Sequence, residues 1–178
     1  MISMNGRLIG AAMLAAALAT SATGAVAQES TNRVATKTDW SVFTEDGPKE
    51  CWGVSSPKNT VNTKDGQVVD VSRGDILLYV TFRPGAGAAG AVSFTGGYPF
   101  APGSTVDMEI NGNSYSLMTD GQWAWPADSS ADSTILAAMK AGAEAVLTAR
   151  SSRGTQTKDT FSLMGFTAAM TEAENRCK

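Results

Sequence analysis

The chain has 178 residues, with 14 Lys and Arg against 17 Asp and Glu, a formal net charge of −3 and no histidine. Without imidazole, Ser-His-Asp and Cys-His nucleophile pairs and every His-containing zinc or copper site are excluded. An acidic balance with no Lys/Arg block gives nucleic acid no electrostatic footprint, while 43% hydrophobic and 17% charged residues suit one compact domain better than a disordered chain.

At the N-terminus, Arg7 precedes an uninterrupted apolar run, Leu8 to Leu18, and small and polar residues follow as far as Ala25-Val26-Ala27. This is the layout of a secretory signal peptide with a small-x-small cleavage site. The run is shorter than the about 20 residues of a membrane-spanning helix, and no second run of that length follows, so no transmembrane span is expected in the mature chain. The expected organisation is a cleaved signal peptide over 1–27, a polar, non-periodic flexible leader over 28–37, and a single β-rich domain over 38–178. Cys51 and Cys177 are the only cysteines. In an oxidising compartment they read as a structural disulfide that pins the C-terminal segment to the body. An intermolecular bridge or two free thiols are the alternatives, and the spacing has nothing of a Cys-x-x-Cys redox pair.

Short runs rich in β-formers then follow in order: Trp40 to Phe43, Cys51 to Ser55, Asp75 to Phe82, Val92 to Thr95, Thr105 to Ile110 and Ser114 to Thr119. Asn111-Gly112 suits a two-residue hairpin turn, and Asp120-Gly121 repeats that signal before Gln122 to Trp125, so three strands form a meander. Asp128-Ser129-Ser130 offers helix N-caps ahead of Ile135, Leu136 and Met139, and Gly142 is placed to end the helix, which predicts a short helix over about 131–141. Ala143 to Ala149 returns as a strand, Ser151 to Lys158 reads as a polar loop, and Asp159 to Leu163 starts another strand. Gly165 to Arg176 has helical composition. The predicted fold class is mainly β (α+β), a small antiparallel β-sandwich or open barrel with one or two short helices, the last near the C-terminus.

Several motifs bear on chemistry. Gly85 to Gly90 matches G-x-G-x-x-G, but Ala91 to Tyr98 alternates like a strand where a dinucleotide site needs a helix N-terminus, so a flexible inter-strand loop is expected. Asp107, Glu109, Asn111 and Gly112 resemble half a calcium loop, yet position 12 is Met118 and the hairpin explains the same residues. Neither metal nor cofactor is expected. Trp123 and Trp125 share one face of a strand and, with Tyr98, Phe100 and Tyr115, would make an aromatic platform for a glycan; core aromatics under a capping helix are the alternative. Arg150, Arg153 and Lys158 concentrate positive charge in one expected loop, a candidate anion or partner contact; a solvated hairpin in which Lys158 and Asp159 neutralise one another is the plainer explanation.

Glu50 to Pro57 (ECWGVSSP), Asp75 to Pro84 (DILLYVTFRP), Val92 to Phe100 (VSFTGGYPF), Gly121 to Pro126 (GQWAWP) and Arg150 to Phe166 (RSSRGTQTKDTFSLMGF) together resemble the invasion-associated locus B family over nearly the whole expected domain. That family comprises small exported proteins of alphaproteobacteria, named for a locus a pathogen needs to enter red blood cells, with no agreed catalytic or ligand site. The resemblance implies an exported protein, periplasmic or outer-membrane-associated, that acts in surface interaction or envelope integrity, with host-cell invasion as a role in pathogenic relatives. The expected function is a non-catalytic binding module whose partner is an envelope component or a protein, with Arg150, Arg153, Lys158, Trp123 and Trp125 as contacts. The alternative is a periplasmic enzyme acting on cell-wall glycan through paired carboxylates.

Overall fold

The computed structural model describes residues 32–178; the expected signal peptide and the first residues of the leader lie outside them. The described residues form twelve strands, most of them short runs in which apolar and polar residues alternate: β1 (Arg33–Lys37), β2 (Trp40–Asp46), β3 (Lys49–Ser55), β4 (Asn59–Lys64), β5 (Gln67–Val68), β6 (Leu77–Arg83), β7 (Ala88–Thr95), β8 (Thr105–Ile110), β9 (Asn113–Asp120), β10 (Trp123–Trp125), β11 (Glu144–Arg150) and β12 (Gln156–Ser162). Helix α1 (Ser129–Ala141) separates β10 from β11, and α2 (Phe166–Arg176) closes the chain.

All the strands belong to one antiparallel sheet ordered β1-β2-β3-β6-β7-β10-β9-β8-β11-β12-β4-β5. Strands β3 and β4 sit near opposite ends of that order, yet residues 56–58 join them, so the sheet must curl until its ends approach. The amide of Lys58 donates to the Thr160 carbonyl at 2.7 Å and fixes the crossing. The curled sheet stays open, with β1 and β5 as its edges.

Its concave side holds the core. Val106, Met108 and Ile110 on β8 point inward while Thr105, Asp107 and Glu109 face water, a strict period-2 pattern. Trp40, Phe94, Phe161 and Phe166 are fully buried, each the kind of side chain whose truncation to Ala costs about 3–5 kcal/mol. Helix α2 covers β2 and β3, where Trp40 meets Phe166 edge-on at 4.9 Å, and its Met170 lies where a Cβ on Gly53 would stand. Only glycine lets that helix come so close. Helix α1 is capped by Asp128, whose carboxylate accepts from the amides of Ser130 and Ala131. It packs on β7, with Leu136 against Gly90.

The disulfide joins Cys51 on β3 to Cys177 just past α2, with Cα atoms 5.8 Å apart. It ties the last helix to the third strand from the β1 edge of the sheet, as the cysteine arithmetic predicts. The predicted mainly β class with two short helices also holds.

Four segments differ from the sequence reading. Residues 33–37, expected within a flexible leader, form β1, because Ala35, Thr36 and Lys37 find the backbone of β2. Residues 59–68, read as no element, form the β4–β5 hairpin. The glycine run 85–90 is not a flexible loop: Pro84–Ala86 make one 3-10 turn, Gly87 takes φ +69°, and β7 starts at Ala88. Ser151 to Lys158 is not one loop either; a turn ends at Thr155 and β12 begins at Gln156, which places Lys158 within a strand.

Candidate functional site

The outer face of β2, β3, β6, β7 and β10 is built by the same alternation that fills the core. Val42, Cys51, Leu78, Val80 and Ala124 point in, and their neighbours Phe43, Trp52, Tyr79, Trp123 and Trp125 therefore point out. Phe43 and Trp52 are register partners on β2 and β3, and their rings stack at 5.6 Å with only 7° between planes. Tyr79 and Trp123 meet at 5.8 Å, although β7 runs between their strands. The outward residues of β7 beside them are Ser93, opposite Tyr79, and Thr95, opposite Trp123, both small enough to leave the space between the rings open.

These rings floor a trough of about 1530 Å³. A second recess of about 540 Å³ adjoins it and shares Asp75, Leu77, Tyr79 and Trp123 with it. Trp123 and Trp125 each remain 42% exposed. Contiguous exposed aromatic surface is what a folded domain normally hides, and where it persists it marks a binding face.

Polar groups rim the trough in pairs. Arg83 donates from Nε to Glu50 Oε2 at 3.1 Å and from Nη2 to Oε1 at 2.6 Å, a forked pair that raises the guanidinium pKa further. Lys58 pairs with Asp39 and holds that carboxyl below its usual range. Arg33, Glu45 and Asp75 are the other charged residues lining the trough. Burial pushes the Tyr79 hydroxyl up, so it stays a neutral hydrogen-bonding group.

Of the residues singled out from sequence, Trp123 and Trp125 are at this site and exposed, not core. The expected companions Tyr98, Phe100 and Tyr115 are not with them: Phe100 is buried, and Tyr98 and Tyr115 pack against the core. Phe43, Trp52 and Tyr79 take their place. Alternation alone does not reveal them: both faces of β2 and β6 carry large apolar residues, and on β3 Trp52 alternates with the small Cys51 and Gly53 yet faces outward, so the pattern does not say which face is inside.

Arg150, Arg153 and Lys158 are exposed on another part of the surface. Arg150 ends β11 opposite Gln156, and Lys158 faces Thr148, so Arg150 and Lys158 share the outer face of the β11–β12 hairpin, with Arg153 in its turn. Lys158 does not neutralise Asp159. Neighbours on a strand face opposite ways, and Asp159 is buried against Arg73, which donates from Nη1 and Nη2 to its two carboxylate oxygens at 2.7 and 2.6 Å. Arg73 also donates to Asn62 Oδ1 and the Gly96 carbonyl and lies over the Tyr98 ring. This network bolts the irregular segment 69–76 across the inside of the curl and so places Asp75 at the trough.

Burial pushes the carboxyls of Asp132 and Asp159 above the ordinary range, the direction a general acid requires. Each is otherwise engaged: Asp132 accepts from the Val92 amide at 2.8 Å, and Asp159 is held by Arg73 on the inner side of the sheet. Among the described residues no group of three or more Cys, Asp and Glu is disposed to hold a metal. Asp107 and Glu109, the start of the calcium-like run, face water on β8, and Asn111 and Gly112 take φ +51° and +77° in the expected hairpin turn.

A model of the invasion associated locus B (IalB) protein family matches residues 40–174. The chain belongs to the IalB family. The match runs from the start of β2 almost to the end of α2 and takes in all five trough aromatics. No curated protein and no solved structure matches the chain. Membership in the IalB family supports a non-catalytic, cell-envelope-associated binding module. No helix among the described residues is long and apolar enough to cross a membrane.

Proposed function

We propose that this IalB-family protein is exported to the periplasm or the outer membrane and binds an envelope component through the aromatic trough. The observation that carries this reading is the set of five aromatic side chains turned outward on adjoining strands, with charged groups already paired at the rim. Such a face is rigid, because every ring stands on a strand with paired neighbours, so little ordering entropy is lost on binding. Arg150, Arg153 and Lys158 are proposed as a separate cationic contact that adds a salt-sensitive component toward anionic envelope polymers.

The test is co-sedimentation of the exported protein with purified sacculi and, separately, with outer-membrane vesicles. Pelleting that is lost in Trp52→Ala and Trp123→Ala supports the trough. Pelleting that these variants leave intact, and that the Arg150→Ala, Arg153→Ala, Lys158→Ala triple variant loses, transfers the function to the basic face.

A further inference from the structure

We infer that the trough takes an uncharged oligosaccharide, laid across the strands with sugar rings against the Phe43–Trp52 and Tyr79–Trp123 groups. This rests on the trough being the binding face and adds the class of ligand. Three observations select that class.

The first is charge. The trough is lined by three cations, Arg33, Lys58 and Arg83, and four acids, Asp39, Glu45, Glu50 and Asp75. Two of the cations are already spent on Glu50 and Asp39. A polyanionic ligand, whether a phosphorylated lipid headgroup or an acidic polymer, would meet Arg33 alone and be opposed by Glu45 and Asp75. The face complements a ligand without net charge.

The second is the backbone. An extended peptide most often docks by adding a strand to a free sheet edge. Here the floor strands β2, β3, β6, β7 and β10 each have a hydrogen-bonded neighbour on both sides, and the sheet's edges are β1 and β5. The floor therefore offers side chains and not a ladder. What it offers is the lining hydroxyls of Ser41, Thr81 and Ser93, and the Glu50–Arg83 fork, with acceptor lone pairs on two carboxylate oxygens and the guanidinium N–H groups not spent on Glu50. Adjacent hydroxyls of a sugar, each both donor and acceptor, match that mixture.

The third is shape. The rings are not gathered into a dry slot of the kind an acyl chain needs. They form two groups on an open floor, one on β2 and β3, the other on β6 and β10. From β3 to β10 there are three strand spacings, ~14 Å at about 4.8 Å each, a span for a short oligosaccharide with its C–H faces on the rings and its hydroxyls between them.

The test titrates the exported protein with chitotetraose, cellotetraose and maltotetraose, followed by tryptophan fluorescence and calorimetry, in parallel with pelleting on sacculi. The expected result is saturable binding of at least one of the three. Affinity should fall about tenfold or more in Trp123→Ala and be abolished in Ser93→Arg, which fills the floor without touching the core. The Asp107→Asn, Glu109→Gln variant, altered on the exposed face of β8 away from the trough, should bind as wild type does. If no tetrasaccharide gives a saturable response while Ser93→Arg still abolishes pelleting, the oligosaccharide is overturned and the trough stands. If Ser93→Arg and Trp123→Ala pellet like wild type, the trough itself is overturned.

Discussion

Tyr79 on β6 and Trp123 on β10 bring their rings to 5.8 Å over the top of β7, whose residue beside Tyr79 is Ser93. The two rings lie far apart in sequence and on strands that do not pair, so their meeting depends on what β7 presents between them. Ser93→Arg is predicted to leave the melting temperature within about 2 °C of wild type, since solvent-facing substitutions usually change stability by less than about 0.5 kcal/mol. The same substitution should separate the rings, which the near-ultraviolet circular dichroism spectrum would register. An unchanged aromatic spectrum would mean that the rings do not communicate across the strand.

Arg73 and Asp159 form a buried pair with 6% and 0% side-chain exposure. Removing only the cation strands a buried carboxylate, so Arg73→Met is predicted to cost about 3–5 kcal/mol at pH 7. Burial already pushes Asp159 up and the guanidinium pulls it back; without Arg73 it moves further up. A carboxyl whose folded pKa exceeds its unfolded value of about 4 binds its proton more tightly in the fold. Its contribution to stability is therefore lost as pH rises through that interval and regained on acidification. Urea midpoints of variant and wild type should differ most at pH 7 and converge as pH falls toward 4. A gap that is constant with pH would contradict this reading of the pair.

The Cys51–Cys177 bridge spans 126 positions, and the chain-entropy treatment values such a closure at about 5 kcal/mol. The Cys51→Ser, Cys177→Ser double variant should lose stability of that order. Helix α2 should be affected first, because Cys177 is its tether at the C-terminal end while Phe166 and Met170 hold it by packing alone. Hydrogen exchange is expected to speed up over 166–176 before it does so over β8 and β11. Uniform acceleration would show that helix and sheet open as one unit.

Asp39 shows the opposite sign to Asp159. Lys58 and the Ser162 hydroxyl hold its carboxyl below the ordinary range. A lowered carboxyl contributes stability that is present above its unfolded pKa and lost as pH falls through the folded value. Because the pair is at the surface its effect on stability is small, and the sensitive measurement is the carboxyl carbon shift by NMR. In Lys58→Met the Asp39 midpoint should move up toward about 4. A midpoint unmoved by the substitution would show that Lys58 does not engage it in solution.

How much was legible in the sequence divides along physical lines. Strands with one wet face, such as Thr105–Ile110, and the cap at Asp128 announce themselves, because period and capping chemistry are local. The β4–β5 hairpin carries a turn signal of the same kind as Asn111-Gly112: Asp65-Gly66 takes φ +51° and +77°. Its strands, Asn59–Lys64 and Gln67–Val68, are so polar that only pairing makes them strands, β4 with β12 and β5 with β4. The strand that holds Lys158 is hidden for a similar reason, since QTKDT has hydroxyls and charges but little apolar content, and it is the buried Arg73 that lets Asp159 face inward. The trough was half visible. Period 2 puts Trp123 and Trp125 on one face, but Phe43 and Tyr79 alternate with residues just as apolar and Trp52, Trp123 and Trp125 with small ones, so only the curl of the sheet decides which face the core takes.

The outward rings are the surface proposed to meet the envelope, and acrylamide quenching of tryptophan fluorescence in the presence of sonicated sacculi reads their contact with it. Trp40 is fully buried and Trp123 and Trp125 are each 42% exposed, so the latter pair is predicted to supply most of the quenchable emission of the free protein. On binding, the quenching constant should fall to or below that of the free Trp123→Phe, Trp125→Phe variant, because half-buried Trp52 in the same trough is covered as well. Protein that pellets with sacculi while its quenching constant stays at the free value would place the contact elsewhere and contradict the account.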